Sequence, residues 1–288
     1  TNRTTELPRP LAGEGGGEGL RLMNPIPISD PADPRIAAYR DIRERDLVGR
    51  QGAFIAEGEV VLAMLAKARR PRAASLLLDE RRIEGLAPLL AHFPADVPLY
   101  AARQTVLDAV AGFPLHRGIL AHGIAAPPLD PATLIAEAPA DAVVVLLSAI
   151  ANHDNMGGIF RNAAAFGAYA ILIDAECCDP LYRKAIRVSV GTALTLPFAR
   201  LARGDDAVDM LTAAGFRVLS LSPAGAHDLH RVERGGRTAL VLGAEGPGLD
   251  ASVLARTETV RIAMASGVDS LNVATTSGIV LHHLTAGR

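Results

Sequence analysis

The side chains best suited to chemistry lie in three ordered blocks of the C-terminal half of the chain. They combine two amides, a guanidinium, a carboxylate and a hydroxyl, carried by Asn155, Arg161, Glu245, Ser270 and Asn272. A guanidinium stays protonated to above about pH 12, so Arg161 suits the stabilisation of developing negative charge better than the removal of a proton. Each block alone is a weak pattern, and its interpretation depends on the elements that position it.

The first block, residues 152–167, follows a strand and contains a Gly-Gly pair. It predicts a loop and then a helix from about Met156 to Phe166, with Arg161 about one turn inside. A structural interpretation of this block alone stays open. In that interpretation Arg161 forms a salt bridge and Asn155 caps the helix, a role that asparagine fills well.

The second block, residues 242–249, follows a buried strand and spaces its glycines as Gly-x-x-Gly-x-Gly. Glycine leaves backbone N–H and C=O groups open to a ligand. A dinucleotide fingerprint has the spacing Gly-x-Gly-x-x-Gly, and Pro247 removes one N–H from this turn, so a dinucleotide site is disfavoured. Glu245 supplies the acidic side chain of the turn, with simple exposure to solvent as the alternative.

The third block, residues 270–278, connects a strand to the last helix of the chain. Ser270 and Asn272 fall near the N-terminus of that helix. Capping explains one of these two side chains, but it does not explain both.

Composition favours a globular protein of two domains. The chain has 288 residues, of which 49% are apolar, enough for a core in each domain. It contains no apolar run of about 18 residues and no signal-peptide pattern, so we expect a cytoplasmic protein without a membrane segment. The two cysteines, Cys177 and Cys178, are adjacent and suit neither a structural disulfide nor a zinc site.

The charge balance excludes a protein that binds nucleic acid through an overall basic surface. The chain carries 29 basic and 31 acidic residues, so any RNA binding must come from local patches. The strongest basic cluster comprises Lys67, Arg69, Arg70 and Arg72. A solvated helix end is the alternative interpretation of this cluster.

Patterning along the chain divides it into four segments. Residues 1–30 are expected to be a flexible leader, and residues 125–141, rich in Pro and Ala, a linker. Between them, residues 31–124 alternate short apolar strands with helices and predict a small α/β domain. Residues 142–288 form the second domain. Its near-continuous aliphatic runs predict a parallel sheet covered on both faces, with strands near residues 143–147, 170–173, 216–221, 239–242 and 259–262.

The order and spacing of the three blocks resemble the three motifs of the SpoU (TrmH-type) RNA ribose 2'-O-methyltransferases of the SPOUT superfamily. A further similarity covers residues 179–198, so that the resemblance extends over residues 143–287, and more loosely over 33–122. It implies an α/β fold in which the C-terminal parallel-sheet domain contains a deep trefoil knot. The small N-terminal domain is similar to a ribosomal-protein-like substrate-binding domain. Ordinary topology rules disfavour knots, so this expectation comes from the family alone.

The resemblance also implies an enzyme that transfers a methyl group from S-adenosylmethionine to a ribose 2'-hydroxyl of tRNA or rRNA. Its catalytic residues would be Asn155, Arg161, Glu245, Ser270 and Asn272. We interpret Arg161 as binding the adjacent phosphate and stabilising the alkoxide, with Asn155 orienting Arg161 or the substrate. Backbone groups would hold the cofactor near Leu242, Gly243, Ala244, Gly246, Ile262, Met264 and Leu271.

RNA contacts and self-association complete the expectations. The candidate RNA-binding residues are Lys67, Arg69, Arg70, Arg72, Arg183 and Arg187. Family members pair through the knotted domain, and the last helix is rich in apolar residues, so a homodimer is expected. The alternative is that this helix is buried within its own chain.

A second class of function is a catalytically silent knotted protein that binds RNA or senses S-adenosylmethionine. The complete set of catalytic candidates argues against it. Metal-dependent hydrolysis is disfavoured because no His-Glu-x-x-His pattern occurs, and we expect no metal. A serine hydrolase would require a Gly-x-Ser-x-Gly elbow, which the sequence lacks.

Overall fold

Two β-sheets organise the chain in the computed structural model. The structure describes residues 23–40, 48, 52–115, 117–233, 235–244, 246, 248–268 and 270–286. Within these ranges the N-terminal part forms a five-stranded sheet and the C-terminal part a seven-stranded sheet. None of the helices formed by these residues combines the length and apolar character needed to cross a bilayer.

The N-terminal sheet has the strand order β1-β4-β3-β5-β2. Its strands are β1 (Pro25–Ile28), β2 (Ala53–Glu57), β3 (Arg72–Asp79), β4 (Leu99–Ala102) and β5 (Ile119–Ile124). Strands β1, β4 and β3 run parallel, and β5 pairs antiparallel with both β3 and β2. The helices are α1 (Glu59–Lys67), α2 (Ile83–Leu90) and α3 (Gln104–Ala111). The predicted alternation of strands and helices is therefore present.

Strand β1 differs from the prediction of a flexible leader over residues 1–30. Residues 25–28 pair with β4 at the edge of the sheet, and Met23 is buried. The two prolines of β1 made this strand difficult to recognise in the sequence. An edge strand needs ladder hydrogen bonds on one side only, so it accommodates proline, which has no N–H. The remainder of that prediction, over residues 1–22, lies outside the described residues.

The predicted linker also contains structure. Helix α4 (Pro131–Ala136) begins at Asp130, whose carboxylate accepts a hydrogen bond from Thr133 N at 2.8 Å. Leu134 and Ile135 are buried against the C-terminal core. The Asp-Pro pair is a helix-start signal that could have located α4 in the sequence. Residues 131–136 therefore belong structurally with the C-terminal sheet.

The C-terminal sheet is parallel throughout, as predicted, with the order β10-β12-β9-β11-β6-β7-β8. Its strands are β6 (Val143–Leu147), β7 (Ala170–Ile173), β8 (Phe198–Arg200), β9 (Arg217–Leu221), β10 (His227–Asp228), β11 (Thr238–Leu242) and β12 (Glu258–Arg261). The helices are α5 (His153–Ala165), α6 (Arg183–Val188), α7 (Ala207–Ala213), α8 (Ala251–Leu254) and α9 (Val273–Thr285).

The two faces of this sheet build separate cores. Val145 and Leu147 of β6 pack with α5 and α9, whereas Val144 and Leu146 pack with α4 and α7. Burial on both faces explains the continuous aliphatic runs of the strands. Because all strands are parallel, their carboxyl ends meet at one edge of the sheet, where the three sequence blocks begin.

The two sheets are joined by a packed interface at α6. Leu181, Ile186 and Leu194 belong to the same apolar cluster as the N-terminal core. Gly191 has a φ of +86°, and a Cβ built on it would lie 2.7 Å from Met64 Cβ of α1. The backbone of residue 191 therefore approaches α1 more closely than a side chain would allow.

We expect Gly191→Ala to destabilise the protein by about 2–4 kcal/mol, because it combines backbone strain at positive φ with overpacking against Met64. Gly215→Ala is a matched control: its φ is +79°, but no atom lies within 4 Å of the added Cβ. The control should lose only about 1 kcal/mol. Equal losses in urea unfolding would mean that the interface tolerates the methyl group.

Candidate functional site

The loop between β6 and α5 is held in an unusual conformation. Ala149 has a φ of +55°, a region that residues other than glycine rarely adopt. Its N–H donates to Asp174 Oδ2 at 2.9 Å, and the N–H of Ile150 donates to Cys177 Sγ at 3.3 Å. These bonds fix the path of the chain into the first sequence block.

Asn155 does not cap helix α5. The cap is Asn152, whose Oδ1 accepts from the N–H of Asp154 at 2.8 Å. Asn155 is only 5% exposed, and its Oδ1 accepts a hydrogen bond from Asn272 Nδ2 at 2.8 Å. The capping interpretation of Asn155 is therefore wrong, and the first and third blocks meet at this amide pair.

Asn272 has two structural contacts at once. Its Oδ1 accepts from the N–H groups of Ala274 and Thr275, at 3.0 and 3.2 Å, and so caps helix α9. Its Nδ2 reaches Asn155 in α5. Ser270 lies just before this cap and is exposed. Capping thus accounts for Asn272 but not for Ser270.

Arg161 lies in an open groove of about 480 Å³ between α5 and α9. The groove is lined by Gly158, Arg161, Asn162, Phe166, Val188, Ala274, Thr275, Gly278 and Ile279. The side chain of Arg161 is exposed and forms no ion pair or hydrogen bond with the described part of the chain. The salt-bridge interpretation of Arg161 finds no support among these residues, and Arg161 lines the groove.

A second, more enclosed cavity of about 500 Å³ lies at the carboxyl ends of β9, β11 and β12. Its wall includes all seven residues predicted to hold the cofactor: Leu242, Gly243, Ala244, Gly246, Ile262, Met264 and Leu271. Ser270 and Asn272 line it as well. The volume falls within the range of roughly 300–1,000 Å³ that is usual for small-molecule sites.

The turn after β11 depends on glycine. A Cβ on Gly243 would lie 2.7 Å from the carbonyl carbon of Gly248 and 2.8 Å from Leu249 N. Gly246 and Gly248 have positive φ values, and Gly248 N donates to Ala244 O at 3.2 Å. The turn therefore folds back on itself and offers backbone groups to the cavity. Glu245, a catalytic candidate of this turn, lies outside the described residues.

Several lining residues of the cavity were not anticipated: Leu221, Ser222, Pro223, Gly248, Val273 and Thr276. Residues 221–223 follow β9, which lies between β11 and β12 in the sheet. Knowledge of this strand order would have located them, since ligands bind at the carboxyl ends of neighbouring parallel strands.

The residues predicted to contact RNA fall into two groups. Five are exposed at the surface: Lys67, Arg69, Arg70, Arg72 and Arg187. Arg183 instead lies at the interface between the two sheets, 4.0 Å from Glu57 and with its guanidinium 4.9 Å from the centre of the Phe113 ring. These contacts engage Arg183 within the chain, and its assignment as an RNA contact stays a prediction.

The two cysteines are both free thiols. Burial raises the pKa of Cys177 to about 12, and the neighbouring Asp174 carboxylate acts in the same direction. Burial likewise raises the pKa of Cys178 to about 11. Because the thiolate is the reactive form, neither cysteine suits nucleophilic chemistry at neutral pH. Within the described ranges, no cluster of His, Cys, Asp and Glu side chains is arranged to hold a metal ion.

Proteins of known structure share this fold. An AdoMet-bound rRNA methyltransferase from Sinorhizobium meliloti superposes with a TM-score of 0.75 at 21% identity, over 90% of this chain and 97% of that one. The SpoU methyltransferase AviRb from Streptomyces viridochromogenes gives 0.72 at 21% identity, over 86% and 93% of the two chains. These likenesses show the fold.

Relatives found by sequence align with most of the chain. A Mycobacterium tuberculosis protein named "uncharacterized tRNA/rRNA methyltransferase" is 39% identical over 93% of both chains. A 23S rRNA (guanosine-2'-O-)-methyltransferase from Photobacterium profundum is 29% identical, over 71% of this chain and 85% of its own length. Residues 142–282, which include both cavities, match the SpoU rRNA Methylase family. Given this match and the near full-length relative, the chain belongs to that family.

Proposed function

We propose that this protein is an S-adenosylmethionine-dependent RNA methyltransferase that modifies a ribose 2'-hydroxyl of tRNA or rRNA. The observation that carries this proposal is the arrangement of the two cavities around the first turn of α9. Asn272, Val273 and Thr276 face the enclosed cavity, whereas Ala274 and Thr275 face the groove of Arg161. The first turn of α9 therefore lies between a small-molecule site and the groove that contains the exposed Arg161.

The enclosed cavity fits S-adenosylmethionine in size and in chemistry. Leu242, Ile262 and Leu271 offer apolar surface, while the glycine turn at Gly243 offers backbone donors and acceptors. When bound, the cofactor supplies an electrophilic methyl group on its sulfonium. The solved relative from Sinorhizobium meliloti is described as bound to this cofactor, which supports the assignment.

In the open groove, the residues of this chain would orient the ribose and stabilise its charge. Arg161 has no partner among the described residues, so it can bind the phosphate beside the reacting ribose through its planar fork of donors. The same guanidinium stabilises negative charge that develops on the 2'-oxygen as its proton passes to water in the open groove. The hydrogen bond from Asn272, which lines the cavity, to Asn155 joins the start of α9 to α5, the helix that carries Arg161.

The names of the relatives support both parts of the substrate assignment. The mycobacterial relative is named for tRNA and rRNA, and the Photobacterium relative for a guanosine 2'-oxygen of 23S rRNA. We further propose, from the family resemblance, that the segment of the third block passes through a loop to form a trefoil knot. We also propose that the enzyme acts in the cytoplasm.

The test is transfer of labelled methyl from S-adenosylmethionine to purified tRNA and rRNA fractions. Wild-type protein should label one fraction, and Arg161→Ala should label it far more slowly. Cofactor or RNA binding by the wild type without any transfer would instead favour the silent binding protein and would overturn the proposed enzyme.

We also propose a homodimer, on different grounds from those of the sequence. Of the apolar residues of α9, Val273, Val280, Leu281 and Leu284 are buried within the chain, so they are not available to a partner. Ile279 is 40% exposed and lines the groove with Phe166 and Val188. A second copy packed against Ile279, with the part of the groove at Arg161 left open to RNA, would remove that apolar surface from water.

Sedimentation at micromolar concentration should therefore give a species of about twice the 30.1 kDa chain mass. Ile279→Glu should shift the protein toward the monomer, because it would place a charge in the apolar contact. Val60→Glu is a matched control, since Val60 is 54% exposed in the N-terminal part. A wild-type monomer at this concentration would contradict the dimer.

A further inference from the structure

Asn162 joins α5, which carries Asn155 and Arg161, to α9, which Asn272 caps. Its Nδ2 donates to Ala274 O at 2.7 Å and to Ser277 Oγ at 3.0 Å, both in α9. Ser277 is fully buried, and its hydroxyl also donates to Ala274 O at 2.7 Å. Two side chains and one carbonyl thus form a closed polar contact between α5 and α9.

Small residues bring the two helices close at this point. A Cβ on Gly158 would lie 2.7 Å from Ala274 Cβ, and a Cβ on Gly278 would lie 3.2 Å from Asn162 Nδ2. Where the helices cross, only a hydrogen atom or a methyl group fits as a side chain, and Asn162 provides the polar contact. Helix packing of this kind transmits a change in one helix to the other, because interiors are close-packed.

The position of this contact relates it to both cavities. Asn162 directly follows Arg161, and Ala274 lies two residues after Asn272. The pair of Asn155 and Asn272 joins the same two helices about two turns of α5 earlier. These two hydrogen-bonded contacts set the axial and rotational position of α5 against the first turn of α9. That position decides where Arg161 stands relative to the enclosed cavity.

We propose that Asn162 is a positioning residue for methyl transfer, which acts by holding Arg161 at a fixed place relative to the cofactor cavity. The inference rests on the proposed function and extends it to a residue that lines the groove of Arg161 but whose amide nitrogen is hydrogen-bonded to α9. A displacement of about 1 Å at a reacting group can lower a rate by about 100-fold. Loss of one of these two contacts should therefore lower kcat more than it weakens the binding of S-adenosylmethionine.

The expected result for Asn162→Ala is a fall in kcat of about tenfold, with the Kd for S-adenosylmethionine changed less than about twofold. Asn162 does not line the enclosed cavity, so cofactor affinity should be retained. In an Arg161→Ala background the same substitution should lower kcat by less than about twofold, because there is no guanidinium left to misplace.

Two further variants separate positioning from stability. Ser277→Ala removes one acceptor and leaves Ala274 O, so it should lower kcat by about twofold to threefold and should again have no effect in the Arg161→Ala background. Tyr39→Phe removes a buried hydrogen bond to Ser75 at 2.7 Å, far from the site. It should lower the Tm without changing the kcat of the folded protein.

The pattern of results separates the two levels of the proposal. Wild-type transfer with equal Asn162→Ala losses in both backgrounds would overturn the positioning role and leave the proposed function in place. A lower Tm with unchanged kcat would also overturn it, since Asn162 would then only stabilise the fold. Absence of transfer by the wild type would overturn both proposals.

Discussion

Arg161→Ala should lower the turnover of methyl transfer by about 100-fold or more, while the fold and the Kd for S-adenosylmethionine stay nearly unchanged. Loss of one preorganised charge at a reacting oxygen has an effect of this size. The side chain is exposed and pairs with no described residue, so its removal leaves no buried charge unpaired. Single-turnover transfer of labelled methyl to the responsive RNA fraction measures the effect.

Arg161→Lys sharpens this test. Lysine keeps the charge but lacks the planar fork of donors, so it should recover only a small part of the lost activity. Near-complete rescue by lysine would show that a point charge suffices. Substantial methylation by Arg161→Ala itself would remove Arg161 from the reaction and return it to a structural role.

Gly243→Val should raise the Kd for S-adenosylmethionine by at least about 100-fold. The added side chain would collide with the backbone of Gly248 and Leu249, at distances of 2.7–2.8 Å from its Cβ. Backbone atoms cannot move aside as a flexible side chain can, so the turn must open and the cavity wall with it. The loss of binding therefore comes from the turn as well as from obstruction of the cavity.

Calorimetry on the folded variant checks this expectation, with thermal unfolding to show that the protein is intact. Gly85→Val is a matched control, because no atom lies within 4 Å of a Cβ at this position in α2. The control should bind the cofactor as the wild type does. Unchanged affinity in a folded Gly243→Val protein would mean that the cofactor binds elsewhere.

The C-terminal sheet was predictable because each long strand is buried on both faces and its apolar run is continuous. Strands β8 and β10 were missed since they have only three and two residues, too few for a pattern. Strand order leaves no local signature in a sequence. For that reason the contribution of Leu221 and its neighbours to the cavity appeared only in the structure.

The candidate site was predictable as a set of residues but not as a set of contacts. Asn152 and Asn155 are both suitable helix caps by residue type, and only their geometry shows that Asn152 is the cap. Arg183 and Arg187 lie one helix turn apart, yet Arg183 contacts the N-terminal part and Arg187 is exposed. The difference depends on a packed interface between distant segments.

The position of the transferred methyl group tests the central claim most directly. RNA labelled by the wild-type protein should be hydrolysed in alkali and its products separated. Alkaline cleavage requires the 2'-hydroxyl as nucleophile, so a 2'-O-methyl group blocks cleavage at that nucleotide. We expect the label in alkali-resistant dinucleotides, and its loss from the product of Arg161→Ala. Label recovered in mononucleotides methylated on the base would contradict methylation of the ribose.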